Sequence, residues 1–316
     1  MMNLLDQLKQ VTTVVADTGD FERMRQYTPQ DATTNPTLIL KASKLPNYAH
    51  LIEKTKIAYR EQSLDEVMDQ LLVAFGIEIL QIVPGRVSTE IDARLSFDTA
   101  ASVARAQKII AIYAEHHIPK SRILIKIAAT WEGIQAAKIL EQEGIHCNLT
   151  LVFNLMQAVA CAQAKVQLIS PFIGRITDWY KLNSGNAWDE LAMSGVNDPG
   201  VKSVRHIYNY FKNFQIDTEI MGASFRNINQ IKSLAGCDLL TISPELLEEL
   251  KNTSDNLHVE LSPAKAVKET IQAITCDAES FNLAMQSDPM AREKLAEGIN
   301  QFSKDIDQLL ELLKTT

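Results

Sequence analysis

Residues 123–133 read "ILIKIAATWEG", a run that looks like a buried strand except for one lysine at its centre. Successive side chains of a strand point to opposite faces. Ile123, Ile125 and Ile127 therefore share one face, and Leu124, Lys126 and Ala128 share the other. The three isoleucines suit a face packed against helices. Lys126 is then directed inward, toward the C-terminal half of the strand, where an unpaired ammonium is costly to bury.

Similar runs recur along the chain. They are "VTTVVAD" (11–17), "DATTN" (31–35), "GRVSTEI" (85–91), "RILIKIA" (122–128), "IHCNLTL" (145–151), "VQLISPF" (166–172), "DTEIMGA" (217–223) and "CDLLTIS" (237–243). Amphipathic helical stretches separate most of them. Strands joined through helices pair in parallel, and eight such units close a (β/α)8 barrel. The chain of 316 residues is expected to be one domain over 1–316, with additional helices. A helix over 47–62 precedes another that opens on the capping box Ser63–Glu66. Residues 181–200 read as a polar, turn-rich insertion. Asp288 and Pro289 open a last helix whose apolar residues (295, 299, 302, 306, 309, 313) form a stripe for packing on the barrel.

The composition is that of a globular chain able to bury a large core, 46% hydrophobic and 22% charged. A net charge of −8 argues against general attraction to nucleic acid or anionic membrane, while leaving room for a local basic pocket. No signal-peptide pattern opens the sequence and no apolar run is long enough to span a membrane, so a cytoplasmic location is expected. The four cysteines lack CxxC spacing and read as reduced, buried thiols.

The same alternation places further polar groups beside Lys126. Strand one aligns Thr13, Val15 and Asp17; strand three, Ser88 and Glu90; strand five, His146, Asn148 and Thr150. Strand six aligns Leu168, Ser170 and Phe172, and strand seven Ile220, Gly222 and Ser224, with Arg226 in the loop beyond. Each has an ordinary structural explanation when taken singly. Asp17 could be a turn residue, and Glu90 could pair with Arg86 or Arg94. Asn148 and Thr150 could satisfy each other, Arg175 and Arg226 could be surface cations, and Lys126 could be the partner of either acid. Their convergence on the C-terminal ends of at least six strands favours a site, because barrel enzymes place their catalytic groups there.

A strand-borne lysine suggests amine nucleophilic catalysis, with a Schiff base as electron sink for breaking a carbon–carbon bond. Burial favours the neutral amine that attacks; Asp17 and Glu90 oppose it but supply proton transfer. The six histidines lack HxxxH or HxH spacing, so no metal is expected, and no Walker, GxGxxG or GxSxG motif calls for another cofactor.

"DATTNPTLIL" (31–40) and "ILIKIAATWEGIQAAKIL" (123–140) resemble the two signature segments of transaldolases. "VVADTGDFERMRQYTPQ", "VPGRVSTEIDARLSFDT", "HCNLTLVF", "ISPFIGRITDWY", "MGASFRNI" and "DPMAREKLAEGI" are similar to further blocks of that family. The likeness is to its long branch and leaves 181–200 and 250–285 unmatched. It implies a class I, metal-free and cofactor-free transfer of a dihydroxyacetone unit between sugar phosphates of the pentose phosphate pathway, and admits a homodimer. Lys126 would form the Schiff base. Asp17 would accept the proton of the donor's C4 hydroxyl, and Glu90 would act through a water held partly by Thr150. Asn35, Asn148 and Ser170 would bind hydroxyls of the three-carbon unit, and Arg175, Ser224 and Arg226 the phosphate. The inward Phe172 would keep water from the bound unit. The alternatives are an aldolase that releases free dihydroxyacetone and a barrel that serves only as a scaffold.

Overall fold

The computed structural model describes residues 2–268 and 270–314. Its eight strands are β1 (Thr13–Asp17), β2 (Asp31–Thr33), β3 (Val87–Glu90), β4 (Ile123–Ala128), β5 (Cys147–Val152), β6 (Leu168–Pro171), β7 (Glu219–Gly222) and β8 (Leu239–Ile242). Each pairs in parallel with its neighbour, and β8 returns to β1, closing a barrel in sequence order. Seven lie within the runs anticipated from sequence, and β5 passes the end of its run, 145–151, by one residue. This is the expected (β/α)8 architecture, with added helices.

Alternation along the strands builds two apolar layers. Ile123, Ile125 and Ile127 face the helices and are almost fully buried. Val15, Leu124, Leu168, Met221 and Leu239 meet inside the barrel as a separate cluster. Met221 corrects the expected facing of β7: Met221 and Ala223 turn inward, whereas Gly222 lies against Leu240 and Ile173 of the outer layer. At the N-terminal end Arg86 binds both Asp31 (2.9 Å) and Glu219 (2.7 Å). His146 also belongs to that end, held to Glu141 at 2.9 Å just before β5 begins, and not among the site residues.

Cap residues stop the strands and start the helices behind them. Asn35 accepts from the amide of Leu38, with Pro36 in the first turn; Thr130 does the same for Gly133 and Asn154 for Gln157. The capping box at Ser63 and Glu66 is present. Ahead of it, the helix expected over 47–62 is shorter, Ala49–Ala58, entered through the 3-10 turn Pro46–Tyr48. The helix that follows β6 runs from Ile173 to Ser184, so only the later part of 181–200 is turn-rich.

The last helix, Pro289–Lys314, packs on the helices Pro36–Ser43, Leu64–Leu80 and Ile173–Ser184. Its expected stripe, from Leu295 to Leu313, is buried. Asp288 caps it by accepting from the amide of Ala291 at 3.0 Å. Among the described residues no helix is long and apolar enough to cross a membrane.

Candidate active site

Lys126 lies on β4 beside Glu90 of β3 and Asn148 of β5, in register with both. Its amine donates to the carbonyl oxygen of Thr34 at 3.0 Å and stands 3.0 Å from Glu90 Oε2. Lys126 and Glu90 are 3% and 4% exposed, so water screens the pair little. Arg86 and Arg94, the structural partners considered for Glu90, bind other acids. Burial raises the Glu90 carboxyl above its ordinary value, against the lowering influence of Lys126. Glu90 Oε2 meets the amine as an ion pair and has no further hydrogen-bond partner among the described residues. Thr150 Oγ1, on β5, is likewise buried and has no hydrogen-bond partner among the described residues.

Asp17 ends β1 on the other side of the cavity. It keeps some exposure along the opening, yet its carboxyl sits deep enough that burial raises its pKa, opposed first by Lys126 and then by Thr33. Thr33 Oγ1 donates to Asp17 Oδ1 at 3.0 Å and meets Thr241 Oγ1 at 2.8 Å. Since the Thr33 proton goes to the carboxylate, Thr241 is the donor to Thr33. This hydroxyl chain fixes Asp17 across three strands. Neither threonine was singled out from sequence, although Thr33 shares the alternation of Asn35.

A second polar chain crosses β3, β5 and β6. Asn148 Nδ2 donates to Ser88 Oγ at 3.0 Å, and Asn148 Oδ1 accepts from Ser170 Oγ at 2.7 Å. Asn148 and Thr150 therefore do not satisfy each other.

A cavity of about 240 Å3 opens above these groups at the C-terminal end of the barrel. Asp17, Asn35, Lys126, Ser170, Phe172, Arg175, Ser224 and Arg226 line it, as do Thr33, Thr37, Thr241 and Phe302. Glu90, Asn148 and Thr150 lie behind this lining. Ser224 reaches the cavity beside Ala223 because its φ of 64° breaks the alternation of β7.

The two arginines differ. Arg226 is exposed and bound to Asp178 at 2.7 Å. Arg175, in the first turn after β6, is half-buried, and among the described residues it makes neither an ion pair nor a hydrogen bond. Its guanidinium lies 5.1 Å from the ring centre of Phe172 and 5.6 Å from that of Phe302. Burial works against its charge and lowers its pKa, while Glu297 counters.

The family model described as transaldolase/fructose-6-phosphate aldolase matches residues 14–313. The chain belongs to this family. The matched span includes 181–200 and 250–285, the segments that carried no visible resemblance. It makes the protein an enzyme of aldolase or transaldolase type, not a bare scaffold. Of the eleven residues expected at the site, eight line the cavity and three, Glu90, Asn148 and Thr150, stand behind that lining.

Proposed function

We propose that this family member is a transaldolase, moving a dihydroxyacetone unit from sedoheptulose 7-phosphate to glyceraldehyde 3-phosphate, giving erythrose 4-phosphate and fructose 6-phosphate. The observation that carries the reading is the Lys126 amine, buried between Glu90 and Thr34 at a cavity bordered by Asp17. Lys126 attacks the donor ketone and forms a Schiff base. Glu90 moves the protons of carbinolamine dehydration and enamine protonation, for which its raised pKa suits it. Glu90 Oε2, which meets only the Lys126 amine, and Thr150 Oγ1, which has no hydrogen-bond partner among the described residues, are suited to hold the water that relays them. Asp17 takes the proton of the C4 hydroxyl as the C3–C4 bond breaks. Asn35, Asn148 and Ser170 bind the hydroxyls of the three-carbon unit. Phe172 shields that unit from water, and Arg175, Ser224 and Arg226 hold the phosphate.

The reading places the protein in the cytoplasm, in the non-oxidative pentose phosphate pathway. Borohydride reduction in the presence of fructose 6-phosphate, followed by peptide mass spectrometry, should find the adduct on Lys126 and none in Lys126→Ala. An adduct on another lysine refutes the assignment. A coupled assay with and without erythrose 4-phosphate then separates transfer from release: dihydroxyacetone freed at the same rate in both would make the enzyme an aldolase.

A further inference from the structure

We propose that Phe302, on the C-terminal helix, is a positioning residue for substrate phosphate: with Phe172 it holds the Arg175 guanidinium so that its N–H groups stay free for the anion. The inference rests on the phosphate role of Arg175 given above and adds a residue outside the barrel's own strands and loops.

Three observations support it. Arg175 has no polar partner among the described residues, whereas Arg226 is already engaged by Asp178 and Ser224. A half-buried arginine without a polar partner needs something else to fix its plane, and aromatic faces do this without occupying its donors. Both rings within reach line the cavity, and Phe302 is itself 1% exposed.

The helix is also shaped to come this close. One turn before Phe302 stands Gly298, where a Cβ would lie 3.0 Å from Arg175 Nη1 and 2.7 Å from Leu151 Cδ2. Any side chain there would press on the arginine. Glu297 next to it could have captured Arg175, but its carboxylate is bound to Lys294 at 2.6 Å. One turn after Phe302, Asp305 accepts a hydrogen bond from Thr37, another residue of the cavity wall, and one from Gln301 at 3.0 Å. The helix thus grips the mouth at two points.

The test compares the full-length wild type with Arg175→Ala, Phe302→Leu, Phe302→Tyr and Gly298→Ala. It measures the KM for fructose 6-phosphate, the competitive inhibition constant of inorganic phosphate and the Tm. Phe302→Leu keeps an apolar side chain but removes the ring face, and should raise KM and the phosphate constant together by about three- to tenfold. Phe302→Tyr keeps the ring and should restore both. Gly298→Ala should weaken phosphate and also cost some Tm, because its Cβ crowds the buried Leu151 as well as Arg175; assayed below that Tm, it decides the matter if Phe302→Leu does not fold. A folded Phe302→Leu with an unchanged phosphate constant overturns the inference, as does a tyrosine variant no better than leucine. If Arg175→Ala leaves phosphate inhibition intact, the phosphate reading falls, and this inference with it. If Arg175→Ala weakens phosphate while Phe302→Leu does not, only the positioning role is lost.

Discussion

Replacing Lys126 by methionine should produce a protein whose stability falls more steeply with pH than the wild type's. Methionine fills similar space but takes the amine away from Glu90 and from the carbonyl of Thr34. The carbonyl loses a donor at every pH, a constant cost of roughly 1 kcal/mol. Glu90 then has two options. It can stay ionised and unpaired in the interior, at about 3–5 kcal/mol. Or it can take up a proton, which against an unfolded carboxyl near 4.5 costs about 1.4 kcal/mol for each pH unit above that value. The cheaper option prevails: protonation at about pH 5, costing roughly 0.7 kcal/mol, and either one at about pH 8, costing roughly 3–5 kcal/mol. Removing the lysine raises the Glu90 pKa further above its unfolded value. The native state then holds the extra proton, and stability declines as pH rises through the window between the two values. Thermal and urea unfolding from about pH 5 to pH 8 should therefore show Lys126→Met close to the wild type at the acid end and well below it at the alkaline end. Adding Glu90→Gln should flatten the difference. A deficit independent of pH, or one that the second substitution leaves untouched, would refute this account of the pair.

Thr33→Val removes the hydrogen bond that lowers the Asp17 pKa; the acidic limb of the kcat/KM profile should move to higher pH, and an unmoved limb would separate Asp17 from the essential base. Arg226→Ala should raise the KM for fructose 6-phosphate by less than Arg175→Ala does, because Arg226 must share its guanidinium with Asp178; equal effects in steady-state kinetics would contradict this. Asp69 is 2% exposed, bound by Arg105 at 2.9 Å, and burial pushes its pKa up to about 6. Its native pKa exceeds the unfolded one, so it costs stability as pH rises from about 4 to about 6 and at a constant level above. Asp69→Asn should gain on the wild type across that window by roughly 1–3 kcal/mol in urea unfolding, and a constant offset would show that its proton is not linked to folding.

The barrel was legible because parallel strands with two covered faces leave long β-rich runs, and all eight were found. The inward facing of Asp17, Glu90, Lys126, Asn148, Ser170 and Phe172 followed from alternation alone. The same rule failed on β7, where "EIMGAS" gives no contrast between faces: the polar Ser224 suggested the wrong one, since a left-handed φ brings it to the cavity out of turn. On β5 it was extended too far, to His146, which lies before the strand begins. Thr33 and Thr241 escaped notice because a threonine in a strand is unremarkable until its hydroxyl partners are known. Phe302 could not have been found at all. It occupies one of the apolar positions of an ordinary buried stripe, and only the tertiary structure shows that this position faces an arginine.

The apolar cluster of Val15, Leu124, Leu168, Met221 and Leu239 stoppers the barrel beneath Lys126. A ligand cannot pass along the axis, so the cavity at the C-terminal end serves as both way in and way out. On the transaldolase reading proposed above, in which a fragment is handed from one sugar to another, this imposes traffic in single file. The first aldehyde has to back out through the opening before the second can come in, while the fragment waits at the dead end on its lysine. A ping-pong order of events is then a consequence of plumbing as much as of chemistry.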